Sequence, residues 1–117
     1  MIAVLFEVTP NAERRADYFR MAEKLRSELE PVDGFVAVER FQSLSQPDKI
    51  LSLSFWRDED AVLRWRTLSE HRKAQTAGRS DIFQDYRLRV ATVVRDYGMH
   101  ERAEAPVDSL KAHSPGR

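Results

Sequence analysis

The sequence predicts an α+β fold built on one four-stranded antiparallel sheet, and three of its features support this. Apolar, β-rich runs and amphipathic segments follow one another in the order strand, helix, strand, strand, helix, strand. A short turn segment separates the two middle strands, as is typical of a hairpin. Two strand–helix–strand crossovers joined by a hairpin give the ferredoxin-like βαββαβ arrangement. Its first and third strands are central, which suits the two most apolar runs, Ile2 to Val8 and Ile50 to Phe55.

Composition limits the classes of partner. The 117 residues are close to the size of one ordinary domain. Nineteen basic residues balance nineteen acidic ones, so no excess charge favours nucleic acid or an anionic membrane. The absence of cysteine excludes disulfides, thiolate metal sites and cysteine nucleophiles. The apolar start is too short for a signal peptide core or a membrane span, and we expect a cytoplasmic protein.

The first half of the chain contains a strand, a helix and a hairpin. Ile2 to Thr9 is apolar on both faces, as expected for a covered central strand. The helix stops at Pro31 and Gly34. Its predicted buried stripe is Ala12, Ala16, Phe19, Ala22, Leu25 and Leu29. Phe35 to Leu44 and Lys49 to Trp56 should pair as the hairpin.

The second half repeats the strand–helix–strand pattern with a polar extension. Asp58 is placed to cap the second helix. The predicted inner stripe of that helix is Ala61, Trp65, Leu68 and Arg72, flanked by His71. We expect a short helical turn over Ser80 to Tyr86 and a last strand over Arg87 to Tyr97. Residues 1–97 are therefore predicted to form the domain, and 98–117 a polar tail that is partly disordered or packed on a dimer partner.

A homodimer follows from the predicted sheet. Two helices cover only one face of four strands, yet the first strand carries Ala3 and Leu5 on its second face. A large uncovered apolar face is rare on monomers. We expect two copies to pack through that face, unless the tail covers it instead.

Several of these features resemble the antibiotic biosynthesis monooxygenase family of dimeric α/β-barrel proteins. The resemblance spans about residues 1 to 97. It rests on the apolar first strand, the strand Ile50 to Trp56, the acidic helix start Asp58-Glu59-Asp60, Trp65 and His71. It implies oxidation of phenolic or quinol-type substrates by O2 without metal or flavin, as in some members, or haem binding and degradation, as in others; many members have no assigned activity. The haem degraders carry a first-strand asparagine and a later histidine, positions held here by Val4 and by Ala74 or Gln75. Trp65 alone matches their pattern.

His71 and Trp65 are the predicted catalytic residues. His71 is the only histidine placed inside the predicted domain, and it could deprotonate a substrate hydroxyl. Trp65 could stack on a flat ligand. Either residue is equally compatible with an ordinary structural role.

Five residues are predicted to bind the substrate, and all have structural alternatives. The set is Phe6, Phe41, Trp56, Tyr86 and Arg87. The aromatic residues could instead be core. An inward-facing Arg40 or Arg87 could bind a carboxylate or an enolate oxygen, whereas an outward-facing one would pair with an acid such as Glu39 or Asp85.

The resemblance thus implies a cofactor-independent monooxygenase that acts on a small aromatic or quinol-type substrate with O2. The alternative is a dimer of the same family that binds a small molecule or haem without catalysis. No metal-ligand spacing, phosphate-binding loop or dinucleotide motif is present, so we expect no metal and no cofactor. The substrate and the pathway are not specified by the sequence.

Overall fold

The computed structural model describes residues 1–75 and 82–112, without the side chains of 69–75 and 111–112. Four strands and three α-helices are present within these residues. In chain order they are β1 (Ile2–Pro10), a 3₁₀ turn (Ala12–Arg14), α1 (Arg15–Leu29), β2 (Phe35–Gln42), β3 (Ile50–Trp56), α2 (Glu59–Gln75), β4 (Phe83–Thr92) and α3 (Val107–Ala112).

The strands form one antiparallel sheet in the order β2-β3-β1-β4. Strands β1 and β3 are central, and β2 and β3 form the predicted hairpin. Leu5 lies opposite Leu53 on one side and opposite Arg89 on the other. Because side chains alternate between the faces of a strand, this register fixes the face of every strand residue. The predicted βαββαβ arrangement is confirmed.

Helices α1 and α2 cover the same face of the sheet over different ends of its strands. Tyr18 and Ala22 of α1 pack on Val8 and Ile50. Ala61 of α2 packs on a second cluster that contains Ile2, Leu29 and Trp56. In both clusters apolar side chains are removed from water, which stabilises the fold. The part of the sheet between them is covered less closely.

The predicted stripe of α1 was wrong over its first half, because Ala12, Ala16 and Phe19 are exposed, and right over its second half, where Ala22 and Leu29 are buried. Tyr18 is 3% exposed, whereas its neighbour Phe19 is 40% exposed. Because the 3₁₀ turn precedes α1, the helical phase is not the one that Ala12 and Ala16 suggested. Tyr18 therefore enters the core and Phe19 stacks beside it at 5.3 Å.

A polar connection fixes the start of α2 against the turn before β2. The Arg57 backbone N–H donates to the Gly34 carbonyl at 2.7 Å, and the Arg57 guanidinium donates two 3.1 Å bonds to Asp33. Gly34 has φ +91°, a conformation that glycine adopts without strain. Asp58 accepts the Ala61 backbone N–H at 2.9 Å, which confirms it as the helix cap.

The last strand begins earlier than predicted. Phe83 already pairs with Pro10 across an irregularity in the β1–β4 ladder, and β4 ends at Thr92. The helical turn expected over Ser80 to Tyr86 is therefore wrong from Phe83 onward, and residues 80 and 81 lie outside the described part. Pairing with a central strand outweighed the local pattern, as tertiary context commonly does.

The face of the sheet that points away from the helices is apolar at its centre. We call it the open face. Its central side chains are Leu5, Leu51, Leu53 and Phe55, all only half-buried, with Phe41 at its edge. In β3 the leucines and Phe55 thus point away from the helices, whereas the serines point toward them.

The C-terminal segment after β4 extends from the body of the protein. The radius of gyration is 17.6 Å, compared with about 13 Å for a compact chain of this size. Beyond the bond from the Val93 N–H to the Met1 carbonyl, the described hydrogen bonds of this segment lie within it. Val94, Met99 and Val107 are more than two-thirds exposed. None of the helices in the described residues is long and apolar enough to cross a membrane.

Candidate functional site

The helix-facing side of the sheet carries two middle rows of side chains between the α1 and α2 clusters. The strand register places four residues next to one another in each row. We call this surface the central trough; one row is Arg40, Ser52, Phe6 and Leu88, and the other is Val38, Ser54, Val4 and Val90.

Strand β3 contributes only small side chains, two serines, to the trough. Ser52 and Ser54 stand where the alternating strand could have carried leucine or phenylalanine, as it does on the open face. Ser54 is 8% exposed and accepts a 2.9 Å hydrogen bond from Nε1 of Trp56. Trp56 is 1% exposed, so its ring is part of the floor and its one donor is satisfied.

An aromatic group closes one end of the trough. Phe6 lies 5.8 Å from Phe83 and 5.5 Å from Tyr86, measured between ring centres. Tyr18 of α1 lies 6.3 Å from Phe83. Phe6 and Tyr86, both predicted to bind substrate, are therefore in contact, and together the rings form an apolar cluster in which the planes of neighbouring rings are inclined by 34° to 67°.

The β4 side of the trough is open to solvent. Tyr86, Leu88 and Val90 face the helices by register, yet they are 60%, 52% and 49% exposed. Apolar side chains on the covered side of a sheet are ordinarily buried. Their exposure indicates a mouth through which a small molecule can reach Phe6.

Trp65 lies on the α2 side of the trough. It packs against the cluster of Ile2 and Trp56, together with Val4 and Val38, and is only half-buried. It therefore has an accessible surface that a ligand could cover. His71 follows in α2, but its side chain lies outside the described residues, and its catalytic role stays a prediction.

Arg40 faces inward at the β2 edge of the trough. Its Nη2 donates to the Ala22 carbonyl of α1 at 3.1 Å. Its Nε is buried and has no hydrogen-bond partner, and no acidic side chain among the described residues pairs with it. An unpaired buried donor costs about 1–3 kcal/mol. Burial raises the pKa of the neighbouring Tyr18 hydroxyl, although the Arg40 charge opposes that rise.

Two other residues that were predicted to bind substrate, Phe41 and Arg87, lie on the opposite face of the sheet. Phe41 is on the open face and 43% exposed. Arg87 is also on the open face, opposite Glu7. Glu7 accepts contacts from Arg89 at 3.3 Å and Lys49 at 3.7 Å, and the hydrogen bond from Arg89 is the main reason its pKa is lowered. A single site under the helices could not include these residues, because they point away from the helices. Their role in ligand binding stays a prediction.

Sequence reasoning did not single out three features of the trough. Tyr18 was masked by its neighbour Phe19, and the serines of β3 read as ordinary strand residues. The inward direction of Arg40 was one of two alternatives, because a strand pattern alone does not say which face the helices cover. Among the described residues, no group of three histidine or acidic side chains is arranged to hold a metal ion. The trough thus brings the Arg40 cation, the Tyr18 and Tyr86 hydroxyls and the Trp65 indole together with apolar side chains.

These features define the class of protein as a ferredoxin-like α+β domain with a partly covered, aromatic-lined sheet surface between its two helix clusters. The family model for "Antibiotic biosynthesis monooxygenase" matches residues 1–77. The chain belongs to the antibiotic biosynthesis monooxygenase family, as its sequence features had suggested.

Similar proteins agree with this placement. "Jasmonate monooxygenase ABM" of Pyricularia oryzae is 46% identical over 101 residues, which are 86% of this chain and 47% of that protein. The chain thus spans about half of that relative. The structure of Rv0793 from Mycobacterium tuberculosis superposes with TM-score 0.70 at 11% identity, over 83% of this chain and 98% of that one. An MhuD variant with two manganese protoporphyrin IX molecules per active site superposes with TM-score 0.67 at 14% identity, over 84% and 99%.

Proposed function

We propose that this chain is a monooxygenase that uses O2 to oxidise a small, electron-rich aromatic or quinol-type substrate without a metal or flavin. The observation that carries the proposal is membership of the monooxygenase family, reinforced by 46% identity to a relative named as a monooxygenase. The trough supports it with an open mouth at β4 and an aromatic wall formed by Phe6 and Tyr86.

The proposed reaction needs no external electron donor. A naphthol or anthrol loses two hydrogens and gains one oxygen to become a quinone. The second oxygen atom of O2 takes up the two hydrogens and leaves as water, so the substrate supplies all four electrons. For a substrate that is not electron-rich, such as jasmonate, an added donor must reduce the second oxygen atom.

His71 and Trp65 are the residues proposed to promote this reaction. A histidine base would convert the substrate hydroxyl to a phenolate, and general-base assistance contributes typically about 10²–10⁴-fold. The phenolate is a better electron donor to O2 than the phenol. Trp65, half-buried beside Val4, would stack on the ring and hold it in the trough.

We also propose that the working form is a homodimer joined through the open face. Leu5, Leu53 and Phe55 form an apolar centre there that no described element of the chain covers. The exposed Val94 and Met99 of the C-terminal segment would gain burial if this segment packed on the partner. Both arguments rest on the cost of leaving apolar area in water.

A second candidate is a dimer that binds a small molecule without turnover. Arg40 favours it, because this cation has no acidic partner among the described residues and a bound anion would neutralise it whether or not O2 reacts. Haem binding has less support, since Val4 occupies the position where the resemblance expects an asparagine and offers no side-chain hydrogen bond.

Oxygen uptake tests the proposal directly. The protein is mixed with naphthol and anthrol substrates in air, and with jasmonate in the presence and absence of NADPH. We expect uptake and quinone formation that fall strongly in His71→Ala and persist in the matched control His100→Ala, an exposed histidine of the C-terminal segment. Uptake by wild type no faster than by His71→Ala across the panel would contradict the function.

A further inference from the structure

We infer that Arg40 is the binding residue for a carboxylate, and that the natural ligand of the trough is a small apolar carboxylic acid. This inference rests on the proposed function only in taking the trough as the site of that reaction. It begins from an unusual property of Arg40: its Nε is buried without any partner, and no acidic side chain of the described residues neutralises its charge.

Buried donors in proteins are ordinarily hydrogen-bonded, and buried charge is ordinarily paired with an anion. Among the described residues, other arginines have acidic partners at the surface, as Arg57 has Asp33 and Arg89 has Glu7. Arg40 differs because its protein contacts are neutral: Nη2 donates to the Ala22 carbonyl, and the Tyr18 hydroxyl lies beside the guanidinium. The buried Nε is a donor without an acceptor, and a carboxylate that reached this edge of the guanidinium could accept from it.

The row that contains Arg40 determines the rest of the ligand. Ser52 is the neighbour of Arg40, Phe6 is the neighbour of Ser52, and Leu88 is the neighbour of Phe6. Adjacent strands are about 4.8 Å apart, so Phe6 lies about 10 Å and Leu88 about 14 Å from Arg40 along the row. A ligand with its carboxylate at Arg40 would cross the small Ser52 and place its apolar body on Phe6 and Leu88.

The environment also discriminates between charged and neutral ligands. Ala22 and Tyr18 of α1 pack over this part of the sheet, which excludes water and strengthens electrostatic attraction to Arg40. The Tyr18 hydroxyl, beside the Arg40 guanidinium, is a second possible donor. The opposite end of the row is the exposed, apolar Leu88.

Binding of matched acids and neutral esters tests the inference without relying on turnover. Dissociation constants are measured by titration calorimetry at neutral pH for two pairs, 2-naphthoic acid with its methyl ester and jasmonate with its methyl ester. We expect the acid of at least one pair to bind about tenfold or more tightly than its ester, the effect of a charge-assisted hydrogen bond. Equal binding of acid and ester in both pairs, or no binding of either acid, would overturn the inference.

Substitution then assigns the preference to Arg40. Arg40→Gln should abolish the preference by weakening the acid alone, and Arg40→Lys should retain part of it, since lysine keeps the charge without the fork. The control Arg20→Gln removes the same charge from an exposed residue on α1 and should leave both constants unchanged. An acid preference that survives in a folded Arg40→Gln variant, checked by circular dichroism, refutes the assignment. If that variant does not fold, Arg40→Lys provides the test: an acid preference as large as that of wild type would refute binding of the carboxylate by the guanidinium fork.

The outcome is separable from that of the proposed function. Arg40-dependent acid binding without oxygen uptake would reject the monooxygenase and keep the carboxylate site. Oxygen uptake with acids and esters at equal efficiency would reject the carboxylate site and keep the monooxygenase.

Discussion

Replacing Trp56 separates a structural role from the ligand-binding role that the sequence predicted for it. The indole is 1% exposed, and its Nε1 donates at 2.9 Å to Ser54, itself 8% exposed. Trp56→Phe leaves the Ser54 hydroxyl unpaired, at a cost of about 1–3 kcal/mol, and adds a void that costs roughly another 1 kcal/mol. We expect a total loss of about 3 kcal/mol in the free energy of unfolding.

A double-mutant cycle with Ser54→Ala isolates the hydrogen bond. Ser54→Ala alone leaves the indole N–H unpaired and should cost about 2 kcal/mol. The double variant has no unpaired partner, so its loss should be about 2 kcal/mol smaller than the sum of the two single losses. Urea unfolding at one fixed protein concentration gives all four free energies.

Two results would refute this reasoning. Single losses that add to within about 0.5 kcal/mol would show that the two side chains do not depend on each other. Unchanged stability with weakened ligand binding in Trp56→Phe would instead support the sequence prediction that Trp56 contacts the substrate. Trp65→Phe is the matched control for ligand binding, because Trp65 is half-buried and packs beside the trough residues Val4 and Val38.

Three further predictions concern the turn, the helix cap and the open face. In Gly34→Ala, the new Cβ would lie 2.5 Å from the Ala61 Cβ at φ +91°, so thermal unfolding should show a loss of about 2–3 kcal/mol in the free energy of unfolding. The control Gly98→Ala, whose new Cβ would have nothing within 4 Å, should change stability little. Equal losses in the two variants would contradict this explanation. The Ala61 N–H, and next the Arg57 guanidinium, lower the pKa of Asp58 below 3.8, so its stabilisation is present above pH 3.8 and lost as the pH falls through the folded pKa. Asp58→Asn should flatten this acid loss in urea unfolding, and an unchanged slope would exclude the cap as its source. Leu53→Glu should convert a dimer to monomers in sedimentation velocity, whereas Leu63→Glu on exposed α2 should not; monomeric wild type at micromolar concentration would contradict the open-face dimer.

The order and positions of the strands could be predicted because burial left a clear record in the sequence. The run from Ile2 to Val8 is apolar on both faces, which only a central strand requires. Asp58 before an amphipathic segment identified the start of α2, and the hydrogen bond to Ala61 confirms it. These features depend on local sequence patterns, which can be recognised without knowing how the helices and strands pack on one another.

The features that were missed depend on which face the helices cover. In β3 the helices lie over the serines, and the apolar Leu51, Leu53 and Phe55 point to the open face. Tyr18 or Phe19 could each have been the core residue, and the 3₁₀ turn before α1 decided between them. Arg40 became informative only when its Nε proved to be buried without a partner.

Isotope labelling tests the central claim most directly. The protein reacts with a naphthol substrate under ¹⁸O2 in ordinary water, and the quinone product is examined by mass spectrometry. The account predicts one labelled oxygen atom per quinone molecule, formed at a rate that depends on His71 and Trp65. Quinone without label, or label that appears equally fast without the protein, would contradict it.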